Sequence, residues 1–165
     1  MTDAEVFGGA ALVGAVAGMR SMSAPAVVSQ LARLGGSGLS DSKLAWLGSP
    51  KSIYTTGAMA LGEIIADKLP FIPARTKAGP LVARAVSGGF SGAAIAASKK
   101  RSRWLGALCG AAGAIGATYA FYHLRRAATE NLNVPNPVAA VVEDVVVAGT
   151  AYLLISKLRE RDFKV

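Results

Sequence analysis

Five long stretches of this chain carry apolar and small residues with few interruptions, at roughly Val6 to Leu34, Ile53 to Leu69, Pro80 to Ser98, Trp104 to His123 and Pro137 to Ser156. Between Val6 and Ala32 the only charged residue is Arg20, and from Trp104 to Tyr122 there is none. An amphipathic helix facing water would show polar residues on every turn. These stretches instead approach the roughly 20 apolar residues needed to cross a bilayer. The pattern therefore predicts an all-α protein, a polytopic transmembrane bundle of about five glycine-rich spans, with residues 1–165 forming a single transmembrane domain. A soluble all-α fold would need polar faces that these segments do not supply.

The first stretch is long for one span and holds Arg20-Ser-Met-Ser-Ala-Pro25 near its middle. Proline removes a backbone donor, and serine hydroxyls can satisfy the carbonyl it frees. The sequence thus predicts a kinked or broken helix at Ser21, Ser23 and Pro25, tolerated at membrane depth only against protein or a wet cavity.

Lipid gives helices no hydrophobic reason to associate, so close approach through small residues has to hold them. Gly14 and Gly18, Gly88 and Gly92, and Gly106 and Gly110 form three G-x-x-x-G pairs in three spans, which predicts a compact bundle and equally allows a homo-oligomer.

Composition changes this picture only through charge. The formal net charge is +8, which would suggest nucleic acid if the basic residues were not gathered in the connectors. With the amino terminus outside, one side of the membrane collects Arg33, Lys43, Lys51, the run Lys99-Lys-Arg-Ser-Arg103, and Lys157, Arg159, Arg161 and Lys164. The other side collects Lys68, Arg75, Lys77, Arg125 and Arg126. Positive charge favours the cytoplasmic side, so the expected topology is amino terminus out and carboxyl terminus in. The basic excess is then an orientation signal, and no nucleic-acid partner is expected. The acidic start Met1-Thr-Asp-Ala-Glu5 lacks the basic region of a secretory signal. Trp46, Trp104, Tyr54, Tyr122 and Tyr152 lie near span ends, at the level where amphipathic rings partition.

Ionisable residues inside the spans carry the functional signal. Arg20, Glu63, Asp67, Arg84, Glu143 and Asp144 each cost roughly 2.5 to 3.5 kcal/mol at a helix centre, so they are expected to face inward and find partners. Glu63 and Asp67 are four apart and share a helix face. Two arginines against four carboxylates leave an excess of negative charge. That excess calls for a retained proton, a bound cation or cationic solute, or an interfacial position. Two readings follow. Arg20 and Arg84 pair with Glu143 and Glu63 merely to fix helix register, or the same residues form a solute, proton or ion pathway.

Gly14-Ala-Val-Ala-Gly-Met-Arg20 echoes Gly113-Ala-Ile-Gly-Ala-Thr-Tyr119, and the acidic second span echoes the fifth. Repeats starting three spans apart would enter from opposite sides, as in the inverted repeats of small secondary transporters.

At Gly18-Met-Arg-Ser-Met-Ser-Ala-Pro25, Gly62-Glu-Ile-Ile-Ala-Asp-Lys-Leu-Pro70 and Val142-Glu-Asp-Val-Val146 the chain resembles a family of small bacterial membrane proteins, domain of unknown function 4126. The likeness spans nearly the whole chain and is most specific in the middle motif, continued by Pro73, Arg75 and Arg84. It implies a membrane location and weight on these polar positions, and it implies no activity.

Other chemistries find little support. There is no phosphate loop and no zinc-protease motif, and the glycine pairs lie within helices where they cannot cradle phosphate. His123 is the only histidine and Cys109 the only cysteine, so no transition-metal site, disulfide or cofactor is expected. Ser21 and Ser23 have no evident base partner, so no enzyme is expected. The connector from Leu69 to Pro80, with Pro70, Pro73 and Pro80, is expected to be extended and stiff. The leading expectation is a small transporter or channel-like protein of the bacterial inner membrane, handling an unknown small solute, proton or cation. Its competitor is a scaffold, accessory subunit or lipid-interacting protein in which the charges are structural.

Overall fold

The computed structural model describes residues 1–34, 39, 44–66, 77–131 and 134–162. These form six α-helices: α1 (Asp3–Met19), α2 (Ser23–Arg33), α3 (Pro50–Ala66), α4 (Ala78–Ser98), α5 (Arg103–Asn131) and α6 (Asn136–Asp162). A short 3-10 helix, Ala45–Gly48, precedes α3. No strand occurs among the described residues.

Local chemistry explains the ends. Thr2 and Glu5 form a reciprocal capping box at the start of α1, with Asp3 adding negative charge where the helix dipole is positive. At the end of α4 the N–H groups of Lys100 and Arg101 reach back to the carbonyls of Ala97 and Ala96. That wrap needs a left-handed residue, and Lys100 supplies it with φ 55°. The chain thereby reverses within residues 99–102, and α5 runs antiparallel to α4.

The core is the trio α1, α4 and α5, joined backbone to backbone. A Cβ added to Gly14 would strike the carbonyl oxygen of Gly110, and one added to Gly88 would lie 2.7 Å from that same oxygen. Gly110 therefore sits where the three helices cross, and any side chain there would push them apart. A Cβ on Gly18 would strike Ala114 of α5, while one on Gly92 would strike Gly106.

Direction along the bundle follows from end contacts. Arg101 Nε lies 2.8 Å from Asp3 Oδ1, and Thr118 Oγ1 donates to Gly18 O at 3.1 Å, so α1 and α5 run parallel. Arg125 and Glu143 face each other across the short α5–α6 connection, so α6 runs opposite to α5. Arg20 meets Asp144 while Val27 and Gln30 share a cavity wall with Ala151 and Ile155, so α2 runs with α6 and against α1. The chain turns back on itself at Arg20–Met22.

That reversal corrects two expectations. The stretch from Val6 to Leu34 is broken, one of the two expected forms, but it folds as a helical hairpin and not as one crossing, so Asp3 lies at the same end as Lys99–Arg103, not at the opposite one as the charge count assumed. The physical reason is parity: one extra reversal puts both termini at one end. The inverted repeat also fails, because the echoing segments Gly14–Arg20 and Gly113–Tyr119 lie on helices that run parallel and pack together.

Three helices are long and apolar enough to cross a membrane among the described residues: Ala78–Ser98, Arg103–Asn131 and, within α6, Val138–Lys157. Their character is that of a membrane protein.

Candidate functional site

The reversal at Arg20–Met22 is buried within the length of the bundle. Ser87 Oγ of α4 donates to Ser21 O, nine residues after α4 begins, so the turn lies about 13 Å along that helix. A backbone out of helix at that depth leaves polar groups without helical partners, and protein groups meet them here. Arg20 N donates to Val16 O at 2.8 Å and Ser23 N to Arg20 O at 3.2 Å. The N–H groups of Ser21 and Met22 donate to the two carboxylate oxygens of Glu63, each at 2.8 Å, and Ser21 Oγ adds a third bond at 2.7 Å.

Glu63 is thus an external cap on α2. Its charge meets the positive end of that helix and two aligned N–H donors. Sequence reading paired Glu63 with Arg84, but helix and hydroxyl hold it. The break expected at Ser21, Ser23 and Pro25 falls at Arg20–Met22, so Ser21 lies in it and Ser23 opens α2. Pro25 lies in the first turn of α2, where a missing N–H costs nothing, and the break precedes it. Ser21 does not satisfy a carbonyl freed by proline; its hydroxyl serves Glu63.

Arg20 is 2% exposed. Its Nε donates to Asp144 Oδ1 at 2.9 Å, and Nη2 donates to the same oxygen. Sequence reading gave Arg20 to Glu143, one residue away. Successive residues on a helix point about 100° apart, so when Asp144 faces the hairpin, Glu143 must face elsewhere. Glu143, 5% exposed, faces α5 with Oε2 3.7 Å from Arg125 Nη1.

Arg125 is the residue that sequence reasoning missed. The apolar stretch ends near His123, which puts Arg125 in a connector by pattern alone, yet α5 continues to Asn131. Leu124-Arg-Arg-Ala-Ala128 is a run of strong helix formers, and that propensity was the available signal. Arg125 also reduces the carboxylate excess by one charge.

Arg84 is buried one turn before Ser87 on the same face of α4. Asp67 lies outside the described residues, as does most of the proline-rich connector. The structure therefore brings Arg20, Ser21, Glu63 and Asp144 together, sets Ser87 and Arg84 beside them, and turns Glu143 toward a second pair. A cavity of about 260 Å³ adjoins the first group, with Arg20, Ser23 and Asp144 at its polar end and Val27, Val147 and Ala151 among its apolar walls. A groove of about 480 Å³ between α5 and α6 holds Arg125 and Glu143 among Phe121, Leu124, Ala139 and Val142. Among the described residues no group of acidic, histidine or cysteine side chains is placed to hold a metal.

Residues 8–157 match the profile of a family described as Domain of unknown function (DUF4126). The chain belongs to that family. The DUF4126 match runs from the first turns of α1 to the last described side chain of α6, so hairpin and polar centre both lie within it. No curated protein and no solved structure matches the chain.

Proposed function

We propose that this DUF4126 protein is a multi-pass protein of the bacterial inner membrane that carries or conducts a small polar solute, proton or cation past the buried hairpin turn. One observation carries the reading. Arg20, 2% exposed, stands where a helix is broken inside the bundle and meets Asp144 at the polar end of a cavity. Intramembrane charges are expensive and mark pathways, and discontinuous helices are the usual way a transporter presents dipole ends and free backbone to a solute.

Both termini then face the cytoplasm. The end of the bundle that holds Asp3 also holds Arg33, Lys51, Lys99–Arg103 and Lys157, while the opposite end holds Lys77, Arg125 and Arg126. Trp46 and Trp104, 56% and 83% exposed, lie at the basic end, at headgroup level in this orientation.

The second reading is a scaffold, accessory subunit or lipid-interacting protein. Its support is that Glu63, Asp144 and Glu143 each already meet a donor or a cation, as a register-fixing network would require. Flux of protons, monovalent cations and small amines in proteoliposomes decides between them. Protein-dependent flux that falls in a folded Asp144→Glu variant, which keeps the charge opposite Arg20 and alters the polar end of the cavity, supports transport. A folded, correctly inserted protein with no flux of any of these rejects it in favour of the scaffold.

A further inference from the structure

Ser and Thr hydroxyls in the helices of this protein have a standard partner, a carbonyl one turn back. Thr56, Thr118 and Thr150 donate to the carbonyls of Ser52, Ala114 and Val146 at 2.7 to 2.8 Å, and Ser98 donates to Ile95 O at 2.7 Å. Ser29 of α2 and Ser91 of α4 depart from this habit. Both are 0% exposed, and neither hydroxyl has a hydrogen-bond partner among the described residues.

Their placement is not scattered. On α4, Arg84, Ser87, Ser91 and Ser98 are buried at spacings of three, four and seven, which puts them on one face. Ser87 marks the level of the hairpin turn through its bond to Ser21 O. Ser98 is eleven residues further on, about 16 Å along the axis and next to the basic turn at Lys99. Since α2 descends from Ser21 alongside α4, Ser29 lies about 12 Å below the turn, between the levels of Ser91 and Ser98.

A hydroxyl can always turn toward its own backbone, so two fully buried hydroxyls that do not are normally held by something else. In a polar site the usual holder is ordered water, which takes two to four partners and bridges groups that the protein leaves unsatisfied. We propose that Ser29 and Ser91 bind water, and that the Ser87, Ser91 and Ser98 face of α4 with Ser29 of α2 is a hydrated track. It leads from the Arg20 centre toward the basic end of the bundle. Its use as a route for protons or solute rests on the transport reading; its hydration does not.

Ser29→Ala and Ser91→Ala, with Thr150→Ala as the self-bonded control outside the track, test it by two measurements on the intact protein in detergent. X-ray radiolysis of bound water should oxidise buried neighbours such as Val28 and Ile95, and this labelling should be lost in the Ser29 and Ser91 variants. Removing a water-binding hydroxyl strands the water, so each of these variants should melt about 2–4 °C lower. If the hydroxyls are dry, alanine removes an unsatisfied group, so Tm rises and the wild-type neighbours stay unlabelled. That result overturns the track. Labelling without any flux in liposomes keeps the track and rejects transport, so the two ideas fail separately.

Discussion

Glu63 accepts the backbone N–H of Met22 at 2.8 Å, so a carboxylate from α3 caps the start of α2 more than forty residues away in sequence. A cap supplied from a distant helix ties the hairpin turn to α3. Glu63→Ala removes all three hydrogen bonds at once and should destabilise the protein by about 2–4 kcal/mol, with Glu63→Gln intermediate because one oxygen still accepts. Thermal melts of the two variants in the same detergent check the order. Equal melting of Ala, Gln and wild type would remove the capping role.

Asp144, not Glu143, holds Arg20, and the two acidic variants should therefore differ. Asp144→Asn leaves a buried guanidinium facing a neutral amide and should cost about 3–5 kcal/mol, seen as loss of folded protein or a much lower Tm. Glu143→Gln loosens a longer contact to a partly exposed arginine and should cost less. Comparing the yields of monodisperse protein is the simplest readout. A more damaging Glu143 variant would reverse the assignment.

Gly110 should tolerate no side chain. Gly110→Ala places a Cβ against the backbone of Gly88 and should sharply reduce folded protein, whereas Gly116→Ala meets open space and should be neutral or up to about 1 kcal/mol stabilising. Size-exclusion profiles of the two single variants separate a packing site from a generic helix glycine.

Lys100 holds a left-handed backbone at the end of α4, where a Cβ is strained. Lys100→Gly should raise stability by about 1 kcal/mol through relief of that strain, partly offset by the added freedom of the unfolded chain. A thermal melt shows the sign.

Topology gives a direct test of the hairpin. Reporter fusions at the two termini should report the same side of the membrane. Cys109 is the only native thiol, so a Cys109→Ala background allows single cysteines at Ser102 and Thr129 to be labelled from opposite sides. Termini on opposite sides would mean that α1 and α2 form one crossing after all.

Much of this was legible beforehand. The uncharged glycine and alanine runs fixed helices and close packing, because in lipid few other patterns work. The rarity of Arg20, Glu63, Arg84, Glu143 and Asp144 within those runs marked them as residues needing partners. What could not be read was who met whom. Apolar stretches lie on both sides of Arg20-Ser-Met-Ser-Ala-Pro25, so the pattern marks a break there but does not separate a kink from a full reversal. Glu143 and Asp144 are neighbours of nearly equal chemistry, and only the rotation of α6 decides which faces the hairpin. The pairs that decide the site join residues far apart, beyond the reach of any local rule.

The bond between Arg20 and Asp144 also orders events at the ribosome. It ties the end of α1 to α6 across 124 residues, so the centre closes only once α6 has been made. Until then the hairpin waits unfinished at the insertion machinery. A chain cut short before α6 would leave a half-assembled product for membrane quality control to clear.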